Sequence, residues 1–419
     1  MSPVPPELLA MIVDYLHDDW RSLVACVRTD SDLLSCPAIH HLSQTVDVNH
    51  YTSGTLSSDL LEFLHTFQSE SHLQPLLCSL HIHGSPDDFP SGTFPAFVDF
   101  AHFQNLRSLA LSYLLIDLPQ RFCRVICNIS VLEDLSLYGL ARVLSPPGRY
   151  RSIPDTPPAR GGAAALRARL RVLRIGASAA CHGLYSTIAE LLGRDSPHGE
   201  DQLTLRVFEV HFHDAPRSEE WMKMICTPAR RARNLTRLGA TIVSPVDEQP
   251  DTIDSYSPFR HMSYCRALES LSIRYCPVND HHIFEDHVQH DGSHMHFVRL
   301  LAQFLSSVDG PCSEPSPRFP ALKEFTLLLR GPAMELLHEH LETEPFSVLA
   351  TSLGRSLYPQ LRQITIVIEA TLSGSRNSTR SDVTPGEAEM WDDYMSAVEV
   401  ALSPLTDEGV TIRAEYQYV

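Results

Sequence analysis

Residues 106–111 read Leu106-Arg107-Ser108-Leu109-Ala110-Leu111, and the apolar-x-x-apolar-x-apolar spacing of that stretch decides the fold. The same spacing occurs upstream at Leu77 (Leu80, Ile82) and downstream at Leu132 (Leu135, Leu137), Leu170 (Leu173, Ile175) and Leu205 (Phe208, Val210). It returns at Leu235 (Leu238, Ala240), Leu268 (Leu271, Ile273), Leu322 (Phe325, Leu327) and Leu361 (Ile364, Ile366), nine occurrences in all. From Leu77 onward the intervals are 29, 26, 38, 35, 30, 33, 54 and 39 residues. Self-similarity at a period of roughly 20–50 residues marks a repeat architecture, in which one unit cannot bury its own apolar face and neighbours stack.

Successive side chains of a strand face opposite ways. The second and third apolar positions of each repeat are therefore expected to point into a core, and the residues beside them to point out together. Parallel strands need crossovers of a dozen or more residues, and helical patterns fill several of the intervals: 59–67, 96–103, 120–129, 184–192, 219–226, 297–306, 333–341 and 346–357. Thr45-Val46-Asp47-Val48 reads as an opening strand, and residues 409–416 as a closing strand fed by an acidic helix over 387–402. This strand, loop, helix order resembles a leucine-rich-repeat array over roughly residues 76–416. The expected class is α/β: an irregular leucine-rich-repeat solenoid of parallel strands with crossover helices, over residues 44–419. An ordinary open α/β fold with parallel strands is the alternative. Only the repeat at Leu268 carries the family's Asn or Cys eight residues on, as Cys276, so the turns must be satisfied without a continuous asparagine ladder. Loop insertions are expected near 145–162, 243–264, 276–296, 309–320 and 374–386, where Pro, Gly, Ser, His or Asp concentrate.

Residues 1–43 read as a separate, all-α unit. Pro5-Pro6-Glu7 suits the first turn of a helix; Leu8, Leu9, Ile12, Val13 and Leu16 then form an amphipathic stripe. Asp19 is placed to cap a second helix, Trp20 to Val27, and a third holds Leu33, Leu34 and Ile39. The run Pro5-Pro6-Glu7-Leu8-Leu9, Ile12, Tyr15-Leu16-His17-Asp18-Asp19, Ser22-Leu23, Ala25-Cys26 resembles the start of F-box domains, in the form abundant in mushroom-forming fungi. Where that family continues with a cysteine and a tryptophan, this chain has Val27 to Leu34, so the second half is degenerate. The resemblance implies a substrate-recruiting adaptor of a Skp-cullin-F-box type ubiquitin ligase. Its partners would be a Skp-type adaptor of the cullin-RING ligase and a target protein that the sequence does not name. Pro5, Pro6, Leu8, Leu9, Ile12 and Leu16, supported by Leu23, would bind the adaptor. The alternative is a leucine-rich-repeat protein-binding scaffold with no ligase connection, its F-box remnant acting only as a cap.

The outward positions of the nine strands are small and polar with sparse charge. Tyr138, Arg174, His211 and Arg274 stand out there as candidate target-binding anchors, because Tyr and Arg dominate interface hot spots. A formal charge of −18 disfavours nucleic acid, which needs a basic face. No stretch reaches the ~18 apolar residues of a membrane span. The start lacks the basic flank of a signal peptide, so an intracellular location, cytoplasm or nucleus, is expected. Only Lys223 and Lys323 are lysines. The run His281-His282, Asp286-His287, His290-Asp291, His294, His296 has metal-ligating residue types but matches no closed zinc spacing, and no metal is expected there. No phosphate loop, dinucleotide fingerprint, zinc-protease or nucleophile-elbow motif occurs. No cofactor and no catalytic residue are therefore expected.

Overall fold

The computed structural model describes residues 4–29, 31–50, 58–84, 93–94, 100–116, 119–142, 160–177, 203–212, 232, 234–244, 265–277, 293–306, 319–330, 343–370 and 385–418. They fall into two compact units, Met1–Thr204 and Leu205–Val419.

The first unit opens with helices α1 (Pro6–Tyr15), α2 (Trp20–Val27) and α3 (Asp32–Ser43). Proline starts α1, and the Asp19 side chain accepts from the Arg21 N–H to cap α2. Five parallel strands follow: β1 (Thr45–His50), β2 (Ser79–Gly84), β4 (Ser108–Ser112), β6 (Asp134–Tyr138) and β8 (Val172–Ala177), in that spatial order. The crossovers include α4 (Ser58–Ser69), α5 (Pro119–Asn128) and α6 (Arg160–Arg169). Two-residue strands β3 (Thr93–Phe94), β5 (Leu115–Ile116) and β7 (Ala141–Arg142) make a small parallel sheet beyond the main strands. The three N-terminal helices lie on the first repeat: the Trp20 ring meets Phe63 of α4 edge-on at 5.2 Å and Phe67 at 6.4 Å. Arg21–Glu62 and Arg28–Glu70 ion pairs flank this contact.

The second unit carries six parallel strands: β9 (Val207–Phe212), β10 (Arg237–Ser244), β11 (Ser270–Pro277), β12 (Glu324–Arg330), β13 (Gln363–Ala370) and β14 (Thr411–Tyr418). Helices α7 (Ser293–Ser306), α8 (Glu344–Ser352) and α9 (Pro385–Asp407) form its described crossovers. Gly409, at φ 81°, turns α9 into β14, a backbone region that a side chain resists.

All nine leading leucines, and the two apolar positions after each, are buried. The strands lie where the spacing predicts, the opening and closing strands included. Both units have the parallel-strand, crossover construction of an irregular leucine-rich-repeat solenoid. In place of an asparagine ladder the strand entries are joined by main chain. The Cys78 carbonyl accepts from the N–H groups of Arg107 and Ser108, Arg107 from Glu133 and Asp134, and Glu133 from Arg171 and Val172. In the second unit the stair runs through the carbonyls of Arg206, Thr236, Glu269, Lys323 and Arg362 to Thr411.

Helices over 59–67, 120–129, 297–306, 346–357 and 387–402 match α4, α5, α7, α8 and α9, with shifted ends. In 96–103 the described part is a 3-10 turn, Phe100–His102. The expected helices at 184–192, 219–226 and 333–341 lie outside the described residues, as do the insertions at 309–320 and 374–386 except for their last two residues, Phe319-Pro320 before β12 and Pro385-Gly386 in α9. The loop expected near 145–162 gives way at its end to α6, which the Gly161-Gly162 pair disguised. The outer edges of 243–264 and 276–296 belong to β10, β11 and α7.

Candidate binding faces

On α1 the residues with no neighbour to cover them fall on one side. Leu8 is 48% exposed, Met11 64%, Ile12 52% and Tyr15 88%, at positions three, four and seven residues after the first. Val13 is fully buried on the opposite side, and His41 of α3 reaches Asp14 at 2.8 Å. Pro5 and Pro6 are exposed, whereas Leu9 and Leu16 are half-buried. Leu23 is 1% exposed and belongs to the core, not to the exposed face where the sequence placed it. Leu33 and Ile39 of α3 add further exposed apolar surface. Met11 and Tyr15 were missing from the sequence selection, although they stand three and seven residues after Leu8, the spacing that puts side chains on one helical face. A contiguous apolar stripe of this kind on a small helical unit is the signature of helix-in-groove recognition.

The outward face of the first unit brings Tyr138 and Arg174 onto adjacent strands. Tyr138 pairs in register with Gly176, and Ser136 with Arg174. The Tyr138 ring lies over Gly176, where an added Cβ would meet it at 2.6 Å. Arg174 Nη1 donates to both carboxylate oxygens of Asp134, at 3.1 and 3.0 Å, which fixes the guanidinium at the entry of β6. A second cluster on this face escaped the sequence reading. Asp47 contacts His81 Nδ1 at 3.1 Å, and His81 Nε2 lies 3.1 Å from Ser112 Oγ. The His81 and His83 rings are 3.9 Å apart. The hydrogen bond from His81 holds the Asp47 carboxyl below its ordinary range. The available signal was His81-x-His83, two imidazoles at outward positions of one strand.

In the second unit His211, Thr241 and Arg274 form one row. His211 Nδ1 is 3.1 Å from Thr241 Oγ1, and Thr241 pairs in register with Arg274. Arg274 reaches past β12 to donate to Glu369 Oε2 at 2.5 Å, while Gln417 holds the other oxygen at 3.2 Å. Glu369 is only 4% exposed. Arg274 thus ties three strands together, and any partner meets a guanidinium already held by a carboxylate. Among the described residues no three His, Cys, Asp or Glu side chains converge as a metal site. None of the described helices is long and apolar enough to cross a membrane.

No family model and no curated protein matches the chain. Similar solved structures include a protein from Bacteroides fragilis (12% identity, 87% of this chain and 74% of that one, TM-score 0.37). An internalin from Listeria monocytogenes aligns at 10% identity over 96% of this chain and 90% of its own, TM-score 0.31. A leucine-rich-repeat protein from Leptospira interrogans aligns at 11% identity over 94% and 83%, TM-score 0.26. At such scores the assignment of architecture rests on the strand registers and the buried repeat positions: the chain has a leucine-rich-repeat fold.

Proposed function

We propose that the chain is a protein-binding repeat receptor whose N-terminal helices dock on the Skp-type adaptor of a cullin-RING ubiquitin ligase. The observation that carries this reading is the stripe Leu8, Met11, Ile12 and Tyr15, which the chain leaves uncovered. Burying a side chain of this size contributes about 1.5–3 kcal/mol, so a groove that covers the stripe gains enough for specific association. The outward strand residues, Tyr138 and Arg174 foremost, would hold the target, and recruitment of this kind asks no bond chemistry of the chain. The second reading, a scaffold whose helices only cap the first repeat, is favoured by the packing of Trp20 on Phe63 and Phe67. Different sides of the helical unit serve the two roles.

Co-precipitation with a Skp-type adaptor separates them. The Leu8→Asp/Ile12→Asp double variant should lose adaptor binding at least tenfold while melting within a few degrees of wild type, because both side chains are exposed. Equal, poor binding by wild type and variant would leave the scaffold reading.

A further inference from the structure

Three neighbouring strands of the first unit set Asp47, His81 and Ser112 on one outward face. Asp47 pairs in register with His81, and His83 with Ser112. The carboxylate of Asp47, 3.1 Å from Nδ1 of His81, fixes the imidazole tautomer: Nδ1 carries the proton and donates it. The lone pair on Nε2 is then left to accept from the Ser112 hydroxyl, 3.1 Å away. A hydroxyl on a base, with the base oriented by a third group, is the arrangement of an activated nucleophile on whatever fold carries it.

Two features of the backbone point the same way. Ser112 is the last residue of β4, at the carboxyl end of a parallel strand. The next residue, Tyr113, is the non-glycine residue with positive φ, 54°, among those described, and its N–H donates to the Tyr138 carbonyl at 2.8 Å. Such a conformation costs on the order of 1–3 kcal/mol and clusters at functional sites. It is locked in place here by Gly84, where a Cβ would fall 1.9 Å from the Tyr113 carbonyl oxygen. Ser112 itself is 3% exposed. His83 completes the set. Its ring lies 3.9 Å from that of His81, tilted by 47°, and its register partner is Ser112. Burial and the neighbouring His81 lower its proton affinity, with Asp47 opposing, and a neutral imidazole retains one N–H to donate.

We propose that Ser112 is an acyl-accepting nucleophile with His81 as its base, Asp47 as the positioning carboxylate and His83 as the donor to the developing oxyanion, and that its substrates are activated esters. Ser112 Oγ bonds to the carbonyl carbon as its proton passes to His81 Nε2. The ester C–O bond breaks, and the leaving oxygen takes that proton away. Water, giving its proton to the same nitrogen, then releases the acid and restores the hydroxyl. The groups facing His81 are Asp47 on β1, His83 on its own strand and Ser112 on β4. This activity is independent of adaptor docking, which uses α1.

The test is fluorophosphonate labelling of the full-length chain near pH 8, with peptide mapping and p-nitrophenyl acetate turnover alongside. The expected result is phosphonate on Ser112, absent in Ser112→Ala, with labelling slowed about 100-fold or more in His81→Ala. Asp47→Asn should slow labelling and Asp47→Glu should restore part of the rate; a purely structural carboxylate would leave the rate of a folded Asn variant unchanged. A folded wild-type chain that stays unlabelled at Ser112, or equal labelling rates in wild type and His81→Ala, would overturn the proposal. The wild-type peptide map decides this even where a variant folds poorly.

Discussion

His83 is the residue at which the chemistry of the strand face becomes measurable as stability. Burial first, and the neighbouring His81 second, lower its proton affinity, with Asp47 opposing. The unfolded chain takes up a proton near pH 6.5 that the folded chain resists. The sign follows from linkage: this contribution is fully present above pH 6.5 and is lost as pH falls from there through the folded-state value. The melting temperature should therefore decline as the pH is lowered below 6.5, and His83→Gln should flatten that limb in calorimetric scans from about pH 8 to pH 5. Parallel curves for the two proteins would remove His83 as the cause. At this scale the sequence was legible in part. Strand parity puts His81, His83 and Ser112 at outward positions, but the bonds that tie His81 to Asp47 and to Ser112 span 34 and 31 residues. Those spans depend on which strands become neighbours and on the loop lengths between them, which residue types do not encode.

At the scale of elements, the strands were readable because each combines a period of two with the same leading leucine. A further repeat position went unread. The N–H of the leading leucine closes a tight turn onto the residue three before it: Phe103, Ile129, Ala232, Cys265, Phe319 and Tyr358 fill that place and are buried. Their side chains differ widely in size, so no pattern of residue types announces them; the turn, and not the side chain, defines the position. Trp20 illustrates the same limit. Its place at the head of α2 was evident, but its partners Phe63 and Phe67 stand on α4, beyond β1. Because the ring is 6% exposed and held between elements, Trp20→Ala should cost about 3–5 kcal/mol. The loss should appear as earlier protease cleavage between α1 and β1, while the melting of the second unit is unchanged. Resistance equal to wild type would mean that the helices are held some other way.

On the scale of the whole molecule, the ends of a repeat array need cover, because an unpaired strand is a template for association. In the second unit β14 pairs along the whole of β13, and α9 lays Trp391, Tyr394, Val398 and Leu402 into the core, with the Trp391 ring 5.9 Å from Tyr416. Deleting residues 385–418 uncovers the edge of β13 and its neighbouring apolar residues Ile364, Ile366 and Ile368. The shortened chain should aggregate or self-associate, which light scattering against the full chain will reveal. A monomeric, cooperatively melting product would contradict the capping role.

The main-chain stair at the strand entries has a consequence for history as well as for stability. Its joints use peptide N–H and carbonyl groups alone, so no substitution of an ordinary side chain can delete one. Lengthening a loop between joints costs only a slowly growing closure entropy. A lineage can therefore drift far in sequence, and accept inserts as uneven as the 26 to 54 residue intervals found here, while the strand face on which selection acts keeps its geometry.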